Sequence, residues 1–84
     1  MPKIMIIEDD PAIREELALL LENEGYTTLV ITKFTDIPAQ AAQERPNLIL
    51  LDIGLPGNDG FSLCAALRKA VPAPVIFVTS RDAG

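Results

Sequence analysis

The chain contains no histidine and a single cysteine among its 84 residues. One cysteine excludes an internal disulfide and points to a reducing compartment. Cys64 sits among Leu63, Ala65, Ala66 and Leu67, with no histidine or cationic neighbour to lower its pKa, and reads as a small buried apolar residue. No apolar run approaches the length of a membrane span, and the first strand starts at Lys3, leaving no room for a signal peptide. A cytoplasmic chain without membrane contact is expected. Neither a Gly-x-x-x-x-Gly-Lys-Ser/Thr loop nor a Gly-x-Gly-x-x-Gly turn occurs, so nucleotide binding has no support. Seven basic residues against twelve acidic ones give a net charge of −5, which argues against direct nucleic-acid contact by this segment. The length allows one domain at most, burying about 60–65% of its unfolded surface and so only modestly stable.

What is present is a βα alternation. Residues 3–8 form a short, β-branched apolar run, as in a strand covered on both faces. Asp10 is placed to cap a helix with Pro11 in its first turn, Glu15 and Glu16 following early. Ile13, Leu17, Leu20 and Leu21 share one helical face, and Gly25 marks the stop. Tyr26 to Thr32 reads as a second strand. Thr35 or Asp36 opens a helix running to about Gln43, and Arg45-Pro46-Asn47 ends it. Leu48 to Asp52 is the third strand, and residues 53–59 hold the turn formers Gly54, Pro56, Gly57 and Asn58. Asp59 or Gly60 opens a third helix with Leu63, Leu67 and Ala70 on one face, and Val75 to Thr79 is a fourth strand. Such a β-α-β-α-β-α-β order predicts a parallel sheet with helices on both faces and right-handed crossovers. Ligands of such sheets bind outside the carboxyl ends of the strands.

Two of these strands end in acid. Lys3-Ile4-Met5-Ile6-Ile7 runs into Glu8-Asp9-Asp10, and Leu48-Ile49-Leu50-Leu51 into Asp52. Carboxylates about 4 Å apart repel by roughly 4 kcal/mol at a surface-like dielectric. A hard divalent cation such as Mg²⁺, which takes oxygen ligands, is the natural counter-charge. Acids at strand ends are also common as solvated loop residues or helix caps, and Asp10 alone is read that way. Glu8, Asp9 and Asp52 together read as a site, with Asp52 either a third ligand or a nucleophile for a phosphoryl group. Thr79, at the end of the fourth strand, could hydrogen-bond a phosphoryl oxygen there, although alone it would pass for an ordinary β-branched strand residue. Two other acid-using sites fit less well. A haloacid-dehalogenase-like phosphatase requires a second Asp where this chain has Gly54, and a Toprim-like domain requires an Asp-x-Asp that is also interrupted at Gly54.

Ile6-Ile7-Glu8-Asp9-Asp10, Leu48 to Asp52, Leu55-Pro56-Gly57-x-Asp59-Gly60 and Val78-Thr79-Ser80 together resemble the receiver domain of two-component response regulators. The resemblance spans nearly the whole chain. It implies a flavodoxin-like (CheY-like) α/β fold, a three-layer parallel sheet with strand order 2-1-3-4 here and a fifth unit missing, residues 1–84 being the N-terminal portion of the domain. It implies that Asp52 is the phospho-acceptor for a sensor histidine kinase, and that Mg²⁺ is held by Glu8, Asp9, Asp52 and the main-chain carbonyl of Gly54, with Asp9 the direct ligand. It further implies that Thr79 is the switch hydroxyl, and that Gly54 and Arg81 stand where the rate of phosphoryl loss is tuned. Such a protein is a self-phosphorylating and self-dephosphorylating switch, not a turnover enzyme.

The lysine that pairs with the phosphoryl group in this family arrives on the fifth strand. Lys33 and Lys69 lie elsewhere and are not assigned that role, so no residue of this chain is. The wording around Asp52 looks most like the winged-helix transcriptional regulators of the OmpR/PhoB type, which implies a C-terminal DNA-binding effector domain in a longer parent. A degenerate or truncated receiver-fold interaction module, without phosphotransfer, is the alternative. The apolar strand at residues 75–79 has no charge or proline within it, and as an edge it is expected to drive self-association.

Overall fold

The computed structural model describes residues 1–52, 54 and 60–78. Four strands, β1 (Lys3–Ile7), β2 (Thr27–Val30), β3 (Leu48–Asp52) and β4 (Val75–Val78), alternate with three helices, α1 (Pro11–Asn23), α2 (Ile37–Glu44) and α3 (Gly60–Ala70). The strands form one parallel sheet in the order β2-β1-β3-β4. This is the 2-1-3-4 order expected from the sequence.

Alternation along the strands divides the core. Met5, Ile7, Ile49 and Leu51 are fully buried and pack with Ile37, Ala41, Cys64, Leu67 and Val71, under α2 and α3. Ile4 and Ile6, equally buried, point to the opposite face, where α1 lies. Cys64 is thus the small buried core residue that its neighbours suggested.

Helix ends follow local chemistry. The Asp10 carboxylate accepts the Ala12 N–H at 3.0 Å and caps α1, with Pro11 in the first turn. At the other end Gly25 adopts φ +95°, Gly25 N–H donates to Glu22 O at 3.0 Å, and Tyr26 N–H donates to Leu21 O at 3.1 Å. This is a Schellman stop, which requires a left-handed residue where Gly25 stands. α2 begins differently from expectation. Asp36 is its N-cap but takes a left-handed backbone and makes no side-chain cap bond. The Gln40 amide instead reaches back to the carbonyls of Lys33 and Thr35, at 2.8 and 2.9 Å.

Three sequence expectations need correction. β2 covers Thr27–Val30, shorter than residues 26–32, because the Schellman turn consumes Tyr26 while Thr32 lies beyond the last bond to β1. Leu20 is 61% exposed, not part of a covered face. Among the described elements the main packing partners of α1 are β1 and β2, and Leu20 lies on a flank outside that packing. Ala70 is exposed as well, and the buried face of α3 passes through Gly60, Cys64 and Leu67 to Val71. The loop at residues 53–59 lies outside the described residues except for Gly54.

Candidate metal and phospho-acceptor site

The register of the two central strands assembles the site. Ile7 pairs with Leu51 and Ile6 with Leu50, so Glu8 emerges from β1 beside Asp52 at the end of β3. Glu8, Asp9 and Asp52 each offer a carboxylate oxygen, and these oxygens lie within 4.8 Å of one another. Glu8 is 0% exposed, Asp52 is 1% exposed, and Asp9 is half-buried. Fully buried carboxylates are uncommon because the charged form loses its hydration. Two of them side by side carry mutual repulsion in addition.

Backbone amides supply part of the compensation. Asp10 N–H donates to Glu8 Oε1 at 3.0 Å, and Gly54 N–H donates to Asp52 Oδ1 at 2.9 Å. Such bonds orient the carboxylates. Asp52 Oδ2 is buried and accepts no hydrogen bond from the described residues. The family resemblance implies a role for the Gly54 carbonyl; its N–H, in addition, donates to Asp52. Asp10 caps the helix and is not one of the three clustered acids. Thr79 and Arg81 lie outside the described residues.

One contributor was missed in the sequence. Arg14 Nη1 approaches the Glu8 carbonyl at 3.4 Å and the Ile31 carbonyl at 3.5 Å, linking the acidic turn to the end of β2. Its only sequence signal is a basic residue one helical turn past the cap, which solvated helices also show. No helix among the described residues is long and apolar enough to cross a membrane.

The chain has close parallels among known proteins. Residues 4–83 match the family model of the response regulator receiver domain. The chain is 42% identical to the transcriptional regulatory protein YxdJ of Bacillus subtilis over 82 residues, covering 98% of this chain and 36% of the relative. It is 39% identical to the transcriptional regulatory protein AfsQ1 of Streptomyces coelicolor, with the same coverage. The chain therefore spans little more than a third of the length of these curated relatives. Among solved structures, the N-terminal domain of the nisin resistance regulator NsrR superposes with a TM-score of 0.84 at 36% identity, covering 100% of this chain and 72% of that one. The BeF3-activated receiver domain of Klebsiella pneumoniae RstA gives 0.83 at 37% identity, covering 96% of this chain and 69% of that one. With the acid-tipped parallel sheet, the strand order and the family match in agreement, the chain belongs to the response regulator receiver-domain family.

Proposed function

We propose that this chain is the phospho-accepting part of a two-component signalling protein, with Asp52 as the acceptor. The observation that carries this reading is the asymmetry of Asp52. One carboxylate oxygen accepts from the Gly54 amide, the other is buried and accepts no hydrogen bond from the described residues, and the carboxylate belongs to the acid cluster. A carboxylate held in this way has its orientation settled before any substrate arrives. It attacks the phosphorus of a phosphohistidine on a sensor kinase. The new P–O bond forms as the P–N bond breaks, and the electron pair of that bond returns to the imidazole nitrogen.

The donor set suits Mg²⁺: all hard oxygens, three carboxylates and strong like-charge repulsion in want of a counter-ion. Glu8, Asp9 and Asp52 would hold it, with Asp9 the direct ligand and the Gly54 carbonyl completing the protein's share. When bound, Mg²⁺ supplies charge neutralisation and a template for the transferring phosphoryl group. Glu8 is committed through Oε1 to the Asp10 amide, so it fixes the turn that carries Asp9. Thr79 serves as the switch hydroxyl that follows the new charge, and Gly54 and Arg81 set the rate of phosphoryl loss. Phosphorylation adds roughly −1.5 to −2 charge beside the cluster and biases a two-state surface.

The domain acts once per signal, as a switch and not as a turnover enzyme, in the cytoplasm. A C-terminal DNA-binding effector reads the switch in the full protein; the names of curated relatives, transcriptional regulatory proteins and a DNA-binding response regulator, support a transcriptional output. Incubation with a phosphorylated sensor kinase or with acetyl phosphate and Mg²⁺ tests the reading. Intact-mass analysis should show one added phosphoryl group, sensitive to hydroxylamine and absent from Asp52→Asn.

A further inference from the structure

A second feature lies away from the acids, along the outer edge of the sheet. β2 pairs only with β1 among the described strands. Thr27 N–H donates to Pro2 O at 2.9 Å, and Ile31 N–H donates to Ile6 O at 3.0 Å. In a parallel ladder the N–H and C=O of one residue point to the same side, and successive residues alternate. Thr28 and Val30 therefore turn both groups outward.

Their side chains turn toward α1, opposite to Leu29, which packs on the α2 and α3 core. The Thr28 hydroxyl confirms this by donating to Glu22 Oε2 on α1. Between α1 and this edge runs a groove of about 970 Å³, whose lining includes Glu15, Glu16, Leu19, Glu22, Thr28 and Val30. Leu19 is 62% exposed there. Three carboxylates line the groove against one cation, Arg14, whose guanidinium is already directed at the Glu8 and Ile31 carbonyls. β2 carries no lysine, proline or inward charge, the devices that usually protect a sheet edge from strand addition.

We propose that this groove binds an extended basic peptide, which adds as a strand to β2. Its main chain pairs with the outward groups of Thr28 and Val30, alternate lysine or arginine side chains reach Glu15 and Glu22, and an apolar side chain between them covers Leu19. The spacing is compatible. Glu15 and Glu22 are separated by about 10.5 Å along the helix axis. Same-face side chains of a strand recur every ~6.7 Å, so a pair at i and i+4 spans ~13 Å, within the reach of flexible basic side chains. Backbone pairing sets direction and register, and the charges select the peptide. A second copy of this chain fits poorly, since its own edge would bring the same carboxylates against these.

The probe is a fluorescein-labelled short peptide whose same-face positions run lysine, valine, lysine with threonine at the intervening positions, titrated against the 84-residue chain by anisotropy and by amide hydrogen exchange. Saturable binding is expected, with slowed exchange at Thr28 and Val30. Methylating the peptide nitrogens that face β2 should abolish binding without changing its charge. The double variant Glu15→Gln, Glu22→Gln should weaken binding roughly three- to tenfold. Equal binding of the N-methylated peptide would overturn the proposal by leaving charge alone as the cause. It would also be overturned by equal binding of the same peptide with glutamate in place of lysine, by no saturable binding, or by protection of Thr28 and Val30 that depends on protein concentration without peptide. The peptide arms leave the protein unaltered, so they remain decisive if the double variant does not fold.

Discussion

Glu8 and Asp52 lie side by side at the ends of β1 and β3, both essentially removed from solvent, because Ile7 and Leu51 are register partners one step earlier. Two buried like charges in one cluster make the unliganded domain less stable than its core would otherwise allow. Relief of that repulsion is the most direct thermodynamic signature of the site.

Mg²⁺ at ten times its dissociation constant should therefore stabilise the chain by about 1.4 kcal/mol. For a domain of this size that is roughly a 6–11 °C rise in melting temperature. Asp9→Asn should remove most of the rise, because it takes away the proposed direct ligand of the ion. Calorimetry with Mg²⁺ and with a chelator checks both points, and superimposable curves for the unmodified chain would dismiss metal binding.

Gly25→Ala isolates the α1 stop. A Cβ at this position would meet nothing within 4 Å, so its cost comes from the positive φ alone. The expected destabilisation is about 1–2 kcal/mol. Leu51→Ala, in the fully buried core, should cost about 2–5 kcal/mol. Urea unfolding of the two variants should preserve this order; the reverse order would contradict the packing described for β3.

The fourth strand is the expected site of self-association. β4 is bonded on one side only, to β3, among the described strands, and Ile76 is 48% exposed on it. Leaving side chains of this size wet forgoes about 1.5–3 kcal/mol each. Light scattering over a concentration series should show association of the 84-residue chain, reduced by Ile76→Lys. A monomer at every concentration would rule this out.

The sheet and its acids were legible in the sequence for one physical reason. A strand buried on both faces must be apolar along its length, so Glu8 and Asp52 stand out where the apolar runs of β1 and β3 end. The strand order was legible only through the family resemblance, since periodicity carries no information about neighbours. Leu20 and Ala70 were misplaced because helical spacing identifies a face without saying what covers it. Leu20 lies at the flank of α1, beyond the contacts with β1 and β2, and Ala70 lies off the line from Gly60 through Cys64 and Leu67 to Val71. The capping of α2 was illegible because Gln40 satisfies carbonyls from within the helix, while Asp36 makes no side-chain cap bond. Arg14 went unnoticed because its partners are backbone carbonyls, which leave no trace in residue type.

The central claim is that Asp52 accepts a phosphoryl group. Its most direct test is peptide mapping of the protein after incubation with acetyl phosphate and Mg²⁺, using borohydride reduction to convert an acyl phosphate into a stable homoserine. The account predicts homoserine at position 52, and none there in Asp52→Asn or when Mg²⁺ is chelated. Homoserine at another aspartate instead, or labelling at Asp52 that is indifferent to Mg²⁺, would contradict it.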